Sequence, residues 1–367
     1  MRIIISGGGT GGHVYPGIAI ADALKKHNSA NDILFIGAKG KMEMNQVPAA
    51  GYPIVGLPIK GVKRKLKHLF KNVTLPIWIL MSLWRARQII KNFKPNVVVG
   101  TGGYAGFPTI YMAARMGIPV ILQEQNAYPS ITNRLLAKYA NKICVAYEGM
   151  DAYFPSNKIM LTGNPVRSFL VNKAAVNYLT SLEYFGLKPG LVTVLVLGGS
   201  LGARVISESI SKAADTLLQN NIQVILSTGN TYFSAHQNTL PINLYFKALP
   251  YIERMDLAFA AADIVVSRAG AISIAEIAVA QKPAIFIPSP NVVADHQTKN
   301  VLPLVSNNAA ILIKDNEVAE KLVTTILELA KDKQRQHILA ENLTSYFKQY
   351  AAESIATLIE DIVHTNK

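Results

Sequence analysis

Short apolar runs alternate with segments of helical spacing along the whole chain. Met1-Arg-Ile-Ile-Ile5 predicts an opening strand, and later runs predict strands at Ile33–Ile36, Val97–Val99, Val120–Leu122, Ile143–Val145, Val192–Leu197, Val224–Leu226, Ile264–Val266 and Ala284–Ile287. Val14–Leu24 has the apolar spacing of a helix. Such alternation predicts an α/β fold of parallel sheets flanked by helices, present in two copies. The first copy runs from Met1 to about Leu161, and Thr162-Gly-Asn-Pro-Val-Arg167 is a Gly/Pro-marked junction. Residues 172–190 read as a helix and turn leading into the second copy. The expected domains are 1–162, 163–340 and a C-terminal helical segment, 341–367, that packs back on the first domain.

Glycine-rich loops stand at the predicted strand ends. Ser6-Gly-Gly-Gly-Thr-Gly-Gly-His13 joins the first strand to the first helix, where main-chain N–H groups and the helix dipole can hold an anion. Gly100-Thr-Gly-Gly-Tyr-Ala-Gly106, Gly198-Gly-Ser-Leu-Gly-Ala-Arg204 and Ser267-Arg-Ala-Gly-Ala-Ile-Ser273 are similarly placed. Ligands of doubly wound sheets bind beyond the carboxyl ends of the strands, so four loops imply two facing sites across a cleft. His13 lies just past the first loop. Two readings of it stand: an imidazole that transfers a proton during chemistry on a phosphorylated substrate, or one that caps or packs the turn.

Charge adds a partner. The chain carries +14, and residues 1–160 hold 20 Lys and Arg against 6 Asp and Glu, whereas the remainder is balanced at 17 against 17. Ten of the cations fall between Lys60 and Lys94, a stretch with no acidic residue. A one-sided basic field implies an anionic partner. Lys63-Arg-Lys-Leu-Lys67 and Arg85 bracket an apolar run, Thr74–Trp84, that contains both tryptophans, Trp78 and Trp84. That run is far shorter than the roughly 20 residues needed to span a bilayer. It is therefore expected to lie against an anionic membrane surface, through Lys63, Arg64, Lys65, Trp78, Leu80 and Trp84, rather than to bind nucleic acid. The competing reading is a core-facing stripe of Ile77, Leu80, Met81 and Trp84 with a solvated basic face. The single cysteine, Cys144, sits in a strand-like run, which fits a reducing cytoplasm, and no signal peptide is expected.

Several chemistries lose support. Gly7-x-Gly9-x-x-Gly12 matches a dinucleotide fingerprint, but the acidic residue needed at the end of the second strand is replaced by Gly37-Ala-Lys39. No phosphate loop of the Gly-Lys-Ser/Thr type occurs, the histidines are scattered, and no Asp-x-Asp is available to chelate a metal on a nucleotide diphosphate. Phosphate must then be neutralised by main-chain N–H groups, Ser200, Arg167 or Arg204. In Gly270-Ala-Ile-Ser-Ile-Ala-Glu276, Ser273 suits a phosphate and Glu276 suits two ribose hydroxyls. Glu276 reads equally as a first-turn carboxylate favoured by the helix dipole. Asp295-His-Gln-Thr-Lys-Asn300 is a polar cluster at a strand exit, fit for sugar hydroxyls or for solvent.

Taken together, Gly8-Gly-Thr-Gly-Gly-His13, Gly100-Thr-Gly-Gly-Tyr104, Gln123-Glu-Gln-Asn126, Gly163-Asn-Pro-Val-Arg167, Gly198–Arg204, Ser267–Ala271 with Glu276, and His296-Gln-Thr-Lys-Asn300 resemble the MurG family of bacterial glycosyltransferases. The resemblance implies the GT-B architecture, two Rossmann-like doubly wound parallel-sheet domains facing a cleft. It implies inverting, metal-independent and cofactor-free transfer of N-acetylglucosamine from UDP-N-acetylglucosamine to undecaprenyl-linked lipid I, giving lipid II, at the cytoplasmic face of the inner membrane. Carried over by motif, His13 is the base. Thr10, Gly11, Gly12 and Asn126 approach the donor sugar, Arg167 and Ser200 hold the diphosphate, and Ile252 meets the uracil. Ala271, Ile272, Ser273, Ile274, Ala275 and Glu276 line phosphate and ribose, and Gln297 binds the sugar. Gly9, Gly12, Gly102, Gly103, Tyr104 and Gly106 are assigned to the acceptor pyrophosphate. A UDP-sugar transferase with a soluble acceptor and a non-catalytic binder of anionic surfaces are the competing classes.

Overall fold

The computed structural model describes residues 1–61, 73–167, 170, 176–198 and 203–365. The chain divides into two compact units, Met1–Ser168 with Gln349–Lys367, and Phe169–Lys348.

The first unit is built on a seven-stranded sheet in which every pairing is parallel. Its strands are β1 (Arg2–Gly7), β2 (Asp32–Ala38), β3 (Ile54–Leu57), β4 (Val97–Gly102), β5 (Val120–Glu124), β6 (Lys142–Val145) and β7 (Ile159–Leu161), in the order β3-β2-β1-β4-β5-β6-β7. Both faces of the sheet are covered, which is why β1 is a continuous apolar run rather than an alternating one. Ile3 and Ile5 join one core with Val14, Ile18 and Leu24 of helix α1 (Gly11–His27); Ile4 joins the opposite core with Ile90, Val98 and Ile110. The strand order reverses between β1 and β4, and Ile5 pairs with both Phe35 and Val99. A doubly wound sheet opens its ligand crevice at such a reversal.

The C-terminal helix Ala351–Thr365 closes this unit by packing on α1, burying Ile355, Ile359 and Val363. Burial of three such side chains contributes roughly 5–9 kcal/mol as an upper bound. His27 Nδ1 lies 3.1 Å from Glu360 Oε2 at the rim of that contact.

The second unit repeats the architecture with six parallel strands. They are β8 (Val192–Leu197), β9 (Ile222–Ser227), β10 (Phe246–Leu249), β11 (Ile264–Ser267), β12 (Ala284–Phe286) and β13 (Ile311–Leu312), ordered β10-β9-β8-β11-β12-β13. Its core gathers Val194, Val196, Val224, Ile264, Val266 and Ile285 against Ile206, Leu322 and Ile326. The reversal here lies between β8 and β11.

Candidate active site

In the first unit the loops after β1 and β4 interlock at the carboxyl edge of the sheet. Gly8 N–H donates to the Gly102 carbonyl (3.3 Å), and the β1–β4 register shifts between Ser6 and Gly7. Gly102 and Gly103 adopt φ of +97° and +77°. A Cβ on Gly102 would stand 2.8 Å from His13 Cδ2, and one on Gly103 would stand 2.3 Å from the Gly8 carbonyl oxygen. Only glycine fits either position, and the space it leaves is filled by the His13 ring and the first loop. Gly106 is less tight, an added Cβ standing 3.0 Å from the Ser6 carbonyl oxygen. Tyr104 packs its ring over Gly9 and Gly61, with burial, and secondarily Glu43, raising its phenol pKa.

Thr10 is the N-cap of α1, and its hydroxyl lies 3.1 Å from His13 Nδ1. The N–H groups of Gly11 and Gly12 open the helix, where no intrahelical acceptor exists. Gly9 departs from expectation: its N–H donates to Glu43 Oε2 at 3.0 Å and so is not offered to a phosphate. Glu43 begins helix α2 (Glu43–Ala49), is 1% exposed, and takes a second N–H, that of Ala38, on Oε1 at 3.0 Å. Sequence reasoning missed it. The available signal was an acidic residue in a half of the chain that has six.

Glu124 was also missed as an individual residue. Fully buried at the end of β5, it accepts Asn126 N–H (3.1 Å) and Nδ2 (3.2 Å) on Oε1, and Ser130 N–H and Asn133 Nδ2 (both 2.9 Å) on Oε2. Burial raises its pKa, while these four bonds oppose the rise. The carboxylate thereby fixes the turn that presents Asn126. Arg167, the last residue of the Thr162–Arg167 junction, places its guanidinium 5.3 Å over the Tyr15 ring, beside the first turn of α1.

In the second unit, Gly270 caps the helix Ala271–Ala280. Ile274 N–H closes the first helical bond on the Gly270 carbonyl (2.9 Å), so the N–H groups left for a ligand are those of Ala271, Ile272 and Ser273. Ile274 and Ala275, with buried side chains and helical N–H groups, shape the helix and offer no donor. Glu276 is 6% exposed in the second turn, which removes its reading as a first-turn dipole partner. Ile252 is also buried, so only its main chain can meet a ligand. Arg268 is a clamp: its Nη1 donates to the Ile287 and Pro288 carbonyls (3.2 Å each) and pairs with Asp315 at 2.6 Å.

Ala294 and Asp295 are left-handed, with φ of 53° and 50°, immediately before helix His296–Ser306. Non-glycine residues in that region are strained, and such strain gathers at binding sites. Gln297 Oε1 accepts Ser289 N–H at 2.7 Å, leaving its amide NH₂ to donate. Ser200 lies outside the described residues. Arg204 is exposed and bonded to Glu208 at 2.6 Å.

The chain matches the glycosyltransferase family 28 N-terminal domain over residues 3–145 and the family's C-terminal domain over residues 193–358. It is 76% identical to the UDP-N-acetylglucosamine--N-acetylmuramyl-(pentapeptide) pyrophosphoryl-undecaprenol N-acetylglucosamine transferase of Amoebophilus asiaticus, covering 99% of this chain and 100% of that one. The chain belongs to glycosyltransferase family 28. A second family-28 relative with the same description, from Parabacteroides distasonis, is 47% identical over 99% of this chain and 98% of its own. The crystal structure of Acinetobacter baumannii MurG superposes with a TM-score of 0.74 at 27% identity, covering 98% of this chain and 99% of that one. The fold is therefore GT-B, as expected.

Helix α3 (Leu75–Phe93) of this family-28 chain turns Ser82, Ala86 and Ile90 inward. Ile77, Leu80, Met81 and Trp84, at helical spacing, are between 48% and 66% exposed, which overturns the core-stripe reading. Trp78 is half-buried, with Lys60 Nζ 3.8 Å over its ring. Lys63, Arg64 and Lys65 lie outside the described residues. Among the described residues no helix is long and apolar enough to cross a membrane, and no group of three or more His, Cys, Asp or Glu is arranged to hold a metal ion.

Proposed function

We propose that this chain transfers N-acetylglucosamine from UDP-N-acetylglucosamine to the C4 hydroxyl of the N-acetylmuramoyl unit of undecaprenyl-linked lipid I, producing lipid II. The reading is carried by the full-length 76% identity to a transferase whose name states this donor and acceptor. The first unit takes the acceptor and the second takes the UDP-sugar. His13 removes the C4 hydroxyl proton as that oxygen bonds to the anomeric carbon from the face opposite the leaving group. The bond from the anomeric carbon to UDP breaks, UDP departs with the electron pair, and the configuration inverts to a β-1,4 linkage. General-base catalysis of this kind contributes about 10²–10⁴-fold.

The departing diphosphate is neutralised by the N–H groups of Ala271, Ile272 and Ser273, the Ser273 hydroxyl, Ser200 and Arg167. Glu276 takes the ribose hydroxyls, the Ile252 main chain takes the uracil, and the Gln297 NH₂ takes a sugar hydroxyl. Thr10, Gly11, Gly12 and Asn126 meet the donor sugar. Gly12, the Gly102–Gly106 loop and Tyr104 receive the acceptor pyrophosphate, and no metal or other cofactor takes part.

The chain docks on the cytoplasmic face of the inner membrane, where its lipid-anchored acceptor lies; the exposed apolar stripe of α3, flanked by the exposed Arg85 and Arg87, supports this reading. The test is turnover of purified lipid I beside soluble sugar acceptors, in EDTA. Transfer to lipid I that persists in EDTA is expected. Absence of transfer, or equal transfer to an acceptor lacking the muramoyl and lipid parts, would sink the reading.

A further inference from the structure

A threonine at a helix N-cap ordinarily turns its hydroxyl inward to accept the N–H of the second or third helical residue. Thr10 occupies that position with the extended backbone of an N-cap, φ −148° and ψ 157°, yet makes no side-chain cap bond. Its hydroxyl instead stands 3.1 Å from His13 Nδ1. The second glycine loop runs beside the His13 ring: a Cβ added at Gly102 would stand 2.8 Å from Cδ2 and one at Gly103 3.1 Å from Nδ1, so glycine at both positions leaves the ring its room.

We propose that Thr10 is the positioning residue that fixes the tautomer of His13. The Thr10 hydroxyl oxygen accepts the proton on Nδ1, which places the basic lone pair on Nε2. Of the two ring nitrogens, the one bonded to a neighbour determines the state of the other. The capping bond is given up so that the hydroxyl serves the histidine. Since no cap bond exists to lose, removal of the hydroxyl should leave the helix stable and disturb only the ring. This inference rests on the reading of His13 as the base.

The experiment compares Thr10→Val, which keeps the shape and removes the hydroxyl, with Thr10→Ser, which keeps the hydroxyl, and with His13→Ala. Thr10→Val should lower kcat about tenfold or more, because a misoriented base loses part of its 10²–10⁴-fold contribution. Thr10→Ser, which restores the hydroxyl, should recover most of that kcat. Nitrogen NMR of the full chain labelled at histidine, with His13 assigned by its loss in His13→Ala, should show Nδ1 as the protonated nitrogen in the parent and a shift toward protonated Nε2 in Thr10→Val. Protonated Nε2 in the parent would overturn the proposal, as would a Thr10→Val enzyme that turns over like the parent while His13→Ala is inactive. If His13→Ala is itself active, the base assignment fails, and the NMR result still reports separately on the tautomer.

Discussion

Replacing Glu43 with alanine removes the buried acceptor that ties the first glycine loop to the end of β2. Its two oxygens take the N–H groups of Gly9 and Ala38 at 3.0 Å each, and the side chain occupies space 2.2 Å from a Cβ position on Gly8 and 2.6 Å from one on Gly37. A hydrogen bond to a charged acceptor is worth about 1.5–3 kcal/mol. The Ala38 donor is buried and stays unsatisfied, whereas Gly9 is partly open and water replaces much of what it loses. The combined cost is therefore about 3 kcal/mol rather than the full sum of about 6. For a unit of this size each kcal/mol moves Tm by about 2–4 °C, so a fall of about 6–12 °C is expected. Calorimetry is the assay, since two units need not melt together and only the transition of the first should move. Turnover should fall about tenfold as Gly9 slackens beside His13. Glu43→Gln, which keeps one acceptor oxygen, should recover part of both. A Glu43→Ala protein with Tm within about 2 °C of the parent and full activity would refute the anchoring argument.

Glu276→Ala should weaken UDP binding about tenfold or more by calorimetry while the protein stays folded; unchanged affinity would remove Glu276 from the ribose site. Burial pushes the Cys144 thiol up to about 12, so at pH 8 a disulfide-exchange reagent should titrate no thiol in the native protein and one in denaturant. The sign follows from linkage: a raised thiol pKa contributes stability that is fully present below about 9 and is lost as pH rises through about 12. Leu80→Ser and Trp84→Gln, at positions 66% and 65% exposed, should change stability by less than about 0.5 kcal/mol yet reduce flotation with anionic vesicles at both low and high salt. Undiminished flotation would place the docking surface elsewhere.

The two-sheet α/β plan was legible from the chain itself, because strands buried on both faces must be continuous apolar runs, and short runs rich in β-branched residues such as Ile3–Ile5 and Val194–Val196, each followed by a glycine-marked turn, read that way. The loops that follow the reversal strands were legible for the same local reason: a glycine cluster between strand and helix has few other uses. Glu43 and Glu124 were not. Each takes a donor that only folding brings to it, the Gly9 N–H for Glu43 and the Asn133 side-chain amide for Glu124, and no periodicity in the chain marks a carboxylate with that task. The direction of the α3 stripe was likewise ambiguous, since a helix with apolar residues on several sides does not declare which face the core will take. Packing through Ala86 and Ile90 settled it and left Leu80 and Trp84 outside. Local spacing therefore determined the elements and the glycine turns. Long-range contact alone decided which donors of those turns are already spent and which remain for a ligand, because a hydrogen bond closes only when folding brings its two ends together.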